Sequence, residues 1–350
     1  MMSETIFDTR RERTRRTLAT LRGSLREQLG ADYEALIGAH TCIYATGSCG
    51  REEMGAGSDL DAYIVRIDGQ GVANSAALER AVQRANAAAE LPPLDGEGKY
   101  LEMVEAKELL ELLGNPADDY KGVLTKRMLL LLESRVLAGE AAHTAAIERV
   151  VGAYWQNADI IRESYLPFVL VNDIIRYWRI VLLNHEWKLR KRKDDLADDS
   201  SLDADERRAR LMAERRYRSY KLRFPRCLTC FSALTHLLAL TATDPAHVSL
   251  ADALAMIRMT PVERIRGLPE QDLPEGMRPR VRELSEALLD AYREHLEHTD
   301  RPKAELLELL REDLVIQKAI PKQGQRFTQL MFELVSVLGQ GRPLHRSMLV

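Results

Sequence analysis

Aromatic side chains are scarce in this chain, 6% of its 350 residues, while Leu and Ala are abundant, and that balance leans toward helix. No apolar run approaches the ~20 residues a membrane span needs, so a partner membrane is not expected. Neither sign of charge dominates: the net charge is -3, which argues against a general nucleic-acid binder with a basic surface. The amino terminus has no apolar leader core. The arginine-rich stretch from Arg10 to Arg16 is broken by Glu12 and follows Glu4 and Asp8, so 7–29 reads as an amphipathic helix. There are only four cysteines. Cys227 and Cys230 have the spacing of half a zinc site, but their surroundings read as a buried helix. With Cys42 and Cys49 they are expected as small packing residues of a reducing, cytoplasmic compartment.

With 45% hydrophobic residues the chain can bury a core, and its length suits two domains. The spacing predicts helices over 7–29 and 31–38, strands over 40–46 and 58–66, and a helix over 73–91. A third strand is expected over 99–104, leading into a helix over 106–113. Beyond 123 strand signals stop, and apolar residues recur at helical spacing over 124–138, 141–155, 158–190, 208–242, 249–257, 278–298, 302–319 and 325–339. The expected class is α+β, with a small mixed-sheet domain over 1–123 and a helical bundle over 124–350. The charge-dense stretch 188–210 reads as a solvated connection, and 269–279 as a loop. Trp155, Trp178 and Trp187 read as packing residues, as do His40, His236 and His298. An apolar face in 325–339 offers a surface for a homo-oligomer.

One stretch carries chemistry. Gly47 and Ser48 follow an apolar strand, and Ser58, Asp59, Leu60 and Asp61 lead into another. Residues i and i+2 of a strand share a face, so Asp59 and Asp61 are expected to project together. Paired carboxylates repel unless a cation lies between them. Mg²⁺ suits them, because it takes one or two carboxylates plus substrate phosphates. Gly47 and Ser48 let the backbone approach a phosphate, and a helix start after them would aim N–H groups at it. Arg51 either meets the same anion or clamps Glu53 or Asp59, and Ser58 either binds or caps the turn.

These residues resemble the GS…DxD motif of the polymerase-β-like nucleotidyltransferases. Gly50-Arg51-Glu52-Glu53 before Ser58-Asp59-Leu60-Asp61 is most similar to the bacterial group that includes the amino-terminal domain of PII uridylyltransferase. The likeness is specific over 40–66 and extends, through 124–135 and 172–179, to about residue 235. It implies a nucleoside triphosphate bound between a sheet domain and a helical domain, with two Mg²⁺ ions on Asp59 and Asp61. An NMP would move to an acceptor hydroxyl on a protein, a small molecule or RNA, and pyrophosphate would leave. The resemblance also implies a third carboxylate on a later strand. Glu102 is the candidate, with Asp95 and Glu105 as rivals, and a Glu there departs from the usual Asp. Arg176 and Arg179 either bridge helices or bind the triphosphate. Lys221 is the basic residue expected to reach the phosphates, ahead of Arg223 and Arg226. The competing readings are a catalytically degenerate nucleotide-binding or partner-binding regulator, of a toxin–antitoxin or phage-defence type, and a cyclic-oligonucleotide synthase.

Overall fold

The computed structural model describes residues 5–67, 69, 74–94, 101–115, 117–158, 165–243 and 247–348. The fold is α+β, and it forms two compact units: Met1–Val169 with Val248–Thr260, and Leu170–His247 with Pro261–Val350. Among the described residues no helix is long and apolar enough to cross a membrane.

The first unit opens with α1 (Ile6–Leu29) and the short α2 (Tyr33–Leu36). There follow β1 (Thr41–Thr46), α3 (Gly47–Gly50), β2 (Asp61–Arg66), α4 (Ser75–Ala88) and β3 (Val104–Glu105). Next come α5 (Val123–Glu133), β4 (Arg135–Ala138) and α6 (Glu140–Tyr154). The sheet order is β3-β2-β1-β4; β1 runs antiparallel to β2 and β4, and β2 parallel to β3. The register pairs Thr41 with Arg66 and Thr46 with Asp61. Alternation then puts Ile43, Ala45, Ala62 and Ile64 on one face. That face shares a core with Leu18, Leu21 and Leu25 of α1 and Leu78, Ala81, Val82 and Ala85 of α4. Each such leucine contributes about 2 kcal/mol by leaving water. Tyr44 and Tyr63 lie on the other face, their rings stacked at 5.7 Å, with His143 of α6 5.6 Å from Tyr44.

Beyond the sheet the chain runs through α7 (Phe168–Ala197), α8 (Ala204–Lys221) and α9 (Cys227–Leu240). A π-helical turn over Leu222–Arg226 joins the last two and contains Pro225. After α10 (Leu250–Arg258), which belongs to the first unit, come α11 (Pro261–Arg266), α12 (Arg278–His298), α13 (Lys303–Glu312), α14 (Leu314–Gly339) and α15 (Pro343–Arg346).

Several expectations from the sequence need correction. Strand 58–66 is shorter than expected and begins at Asp61, so Asp59 lies outside it. The partner strand ends at Thr46, so residues 58–60 have nothing to pair with. Strand signals do not stop at 123, because β4 follows α5 directly and pairs with the free edge of β1. The third strand is only Val104–Glu105; Glu102 precedes it, and Lys99 and Tyr100 lie outside the described residues. Positions 106–113 form successive turns, with bonds such as Glu108 N–H to Glu105 O, rather than a helix. The supposed connection over 188–210 is helical up to Ala197 and again from Ala204. Lys, Arg, Asp and Leu all tolerate helix, so charge density does not exclude one. Helix 302–319 is split at Asp313, whose side chain accepts from Val315 N–H and Ile316 N–H and so starts α14 afresh. Trp187 is no packing residue: it is 60% exposed.

Candidate functional site

At the end of β1 the backbone turns sharply at Gly47, which has φ +63°. A side chain there would be strained by about 1–2 kcal/mol. It would also collide: a Cβ on Gly47 would stand 2.9 Å from Asp61 Oδ2. The absence of that methyl group leaves the space beside the Asp61 carboxylate. α3 is a single turn, with Arg51 N–H bonded to Gly47 O at 3.0 Å and Glu53 N–H to Ser48 O at 2.8 Å. Gly50 ends the turn where the chain crosses Glu133, whose carbonyl oxygen would lie 1.7 Å from a Cβ. Ser48 is half-buried beside Gly47, and the buried Cys49 follows.

The segment after this turn is held from both sides. Arg51 Nε donates to Glu53 Oε2 at 2.9 Å, and its Nη1 to Glu133 Oε2 at 2.7 Å. All three side chains are at most 10% exposed. Arg51 thus clamps Glu53, the contact one of its two readings expects, and its second partner is the last residue of α5. Glu52, in the left-handed region at φ 62°, is met by Arg11 at 3.3 Å and Arg135 at 3.2 Å. From α1, Arg10 Nη1 donates to Glu53 O at 3.1 Å and Arg13 Nη1 to Met54 O at 3.2 Å. Thr14 Oγ1 accepts from Met54 N–H at 3.0 Å. Leu60 is buried and anchors the approach to β2.

Ser58 caps a turn, its Oγ accepting from Gly55 N–H at 2.8 Å. Asp59 is half-buried just beyond, and Asp61 opens β2 opposite Thr46. Gly47, Ser48, Ser58, Asp59 and Asp61 are thus gathered at one end of the β1–β2 pair. Glu102 forms no metal-holding group with them among the described residues: it is exposed, two residues ahead of a strand that joins β2 at Val65 and Arg66. Glu105 is held by Arg66 at 2.6 Å and by Gly69 N–H at 3.0 Å. Asp95 lies outside the described residues.

Two neighbouring groups are chemically quiet. Burial pushes the Cys49 thiol up to about 12; the carboxylates of Asp61 and Glu52 add to this, against Arg22 and Arg135. A thiol so placed is no nucleophile at neutral pH. His143 is lowered to about 4 by burial and by the charge of Arg135, and its Nε2 lies 2.9 Å from Ser134 Oγ. All four cysteines are buried free thiols.

The remaining candidates belong to the second unit. Arg176 bonds the fully buried Asp173 at 3.0 Å, a pairing one turn apart within α7 rather than between helices. Arg179 is exposed on the same helix. Lys221 is exposed at the end of α8, its Nζ 5.4 Å from the centre of the Tyr217 ring.

Among the described residues no three His, Cys, Asp or Glu side chains are grouped to hold a metal ion. Asp59 precedes β2 and Asp61 opens it, so strand alternation does not set the two side chains on one face; beside Asp61 lies the space that Gly47 leaves. Mg²⁺ takes one or two carboxylates when substrate phosphates supply its other ligands. No protein-family model matches this chain, and neither does any curated protein or solved structure.

The sequence reading missed Glu133, Arg10, Arg13 and Thr14. A signal was present for two of them. Positions 10 and 14 continue the stripe of Leu18, Leu21, Leu25 and Leu29 along α1, and so had to be buried. Polar residues on a buried stripe need partners, and theirs are backbone groups of the segment before Asp61.

Proposed function

We propose that the chain is a Mg²⁺-dependent nucleotidyltransferase working at Gly47, Ser48, Asp59 and Asp61. The observation that carries this reading is the position of the Asp61 carboxylate over a glycine whose missing Cβ opens the space beside it. Asp59 and Asp61 hold the cation, and a nucleoside triphosphate completes its ligands. The bound cation neutralises charge on the triphosphate and on the leaving pyrophosphate. Ser48 donates its hydroxyl to a phosphate oxygen, and the Gly47 backbone lets that oxygen come close. An acceptor hydroxyl attacks the α-phosphorus in line, a new P–O bond forms, and the bond to pyrophosphate breaks. Positioning and charge neutralisation supply most of the rate. Arg51 contributes indirectly, fixing the loop between Gly50 and Ser58 through Glu53 and Glu133.

A second reading has an observation of its own. Among the described residues no third carboxylate joins Asp59 and Asp61 in a metal-holding group. That favours a protein that binds nucleotide and does not turn it over. Pyrophosphate release separates the two. The purified chain is incubated with each nucleoside triphosphate, Mg²⁺ and a cell extract as the source of acceptor. Release by the wild type that disappears in Asp59→Ala/Asp61→Ala supports catalysis, and equal rates exclude it at this site.

A further inference from the structure

The net charge of -3 conceals a strong local asymmetry. From Arg176 to Lys193, seven lysines and arginines stand against one carboxylate, Glu186. From Arg207 to Arg226, nine stand against Glu214 alone. These stretches are the outer part of α7, and α8 with the π-helical turn after it. Seven carboxylates and no basic residue occupy the link between them, from Asp194 to Glu206.

A solvated helix ordinarily mixes its signs, so that residues three or four apart attract. Each stem carries an excess of positive charge, part of it paired within the helix: Arg176 with Asp173, Arg210 with Glu206 and Arg218 with Glu214. The side chains are also sorted. Val181 of α7 is buried. At about 100° per residue, Arg176, Arg179, Leu183, Trp187 and Arg190 fall on the opposite side of the helix. Leu183 is 70% exposed and Trp187 60% exposed, and no side chain of α7 from Leu182 to Asp195 is buried. Lys191 Nζ lies 5.7 Å from the centre of the Trp187 ring. On the inner side, burial lowers the pKa of His185, and the positive charges of Arg218, Arg215 and Arg226 add to this against the pull of Glu186. Arginines of α8 and of the turn after it therefore stand near His185 of α7. An exposed indole within a cationic stripe is the arrangement that stacks a base while the phosphates are drawn to the flanking cations.

We infer that the α7–α8 pair binds single-stranded nucleic acid, with its phosphates along the two basic stems and one base on Trp187. This surface is separate from Asp59 and Asp61 in the chain, and its test makes no use of their chemistry. Fluorescence anisotropy of a labelled 20-nucleotide oligo-U or oligo-dT is measured with the full chain at 50 and 200 mM salt. With about five phosphates neutralised, affinity falls about 100-fold over that range. Trp187→Ala weakens binding about tenfold through lost stacking. Arg190→Glu/Lys191→Glu weakens it further and flattens the salt dependence, with circular dichroism confirming that each variant stays folded. Oligo-U against oligo-dT reads whether the sugar matters; binding of either supports the inference. Unchanged affinity in both variants overturns it. So does equal competition by poly-glutamate, which would mark an acidic protein partner, or preferential binding to phosphatidylserine vesicles, which would mark a lipid surface.

Discussion

Arg51 and Glu133 meet at 2.7 Å across 82 positions of chain, and both side chains are almost wholly withdrawn from water. Their contact ties the loop carrying Asp59 to the end of α5. Removing one partner takes away a charge-assisted hydrogen bond made in a poorly solvated site, which typically costs about 1.5–3 kcal/mol. Glu133→Ala and Arg51→Ala are each expected to lower unfolding stability by about that amount in urea titrations. The double variant should lose clearly less than the sum of the two, because both single variants remove the same contact.

A deeper pair makes a sterner demand. Arg127 and Asp118 are fully buried and form an ion pair, and Arg127 also donates to Tyr154 OH at 2.8 Å and Leu109 O at 2.8 Å. Asp118→Ala is expected to destabilise the first unit by about 3–5 kcal/mol. Tyr154→Phe removes one neutral acceptor from a charged donor and should cost about 1.5–3 kcal/mol. Thermal unfolding that ranks the two in the opposite order would show that the pair does not anchor this region.

Gly47→Ala tests the site directly. The substitution strains a φ of +63° and brings a methyl group to 2.9 Å from Asp61 Oδ2. It should cost about 1–2 kcal/mol of stability, and any Mg²⁺-dependent turnover should fall far more than that loss of folded protein explains. Calorimetry for stability and pyrophosphate release for turnover are the two readouts.

Much of this was legible in the residues. Alternating apolar positions gave β1 and most of β2, and the leucine stripe gave α1. Pattern alone failed where pairing decides. β4 is four residues after a leucine-rich helix, and only the free edge of β1 makes Arg135–Ala138 a strand. Asp59 sits on a segment with apolar neighbours, yet β1 ends before it can pair. The tight turn after β1 was legible at Gly47, because local geometry decides it. The partners of Arg51 were open, because Glu133 is near it only in the fold. The charge of α7 and α8 was legible as a dense run over 188–210, but not the helices that carry it, because charged residues tolerate helix.

His143 predicts a pH dependence. Its pKa is about 4 in the folded chain against an ordinary 6.5, so the fold favours neutral imidazole. Above pH 6.5 folded and unfolded chains are both neutral at this position, and the contribution is fully present. Between 6.5 and 4 the unfolded chain binds the proton and the folded one does not, so stability falls as the medium is acidified. The loss attributable to this group is about 3 kcal/mol by pH 4. His143→Phe should flatten that part of the curve in urea titrations at a series of pH values.

The central claim is that Asp61, over Gly47, holds a cation bridging to a triphosphate. Calorimetric titration of a non-hydrolysable nucleoside triphosphate analogue, with Mg²⁺ and with excess chelator, tests it most directly on wild type and Asp61→Asn. The account predicts binding that requires Mg²⁺ and weakens at least tenfold in the variant. Binding of equal strength with chelator present, and unchanged by Asp61→Asn, would contradict it.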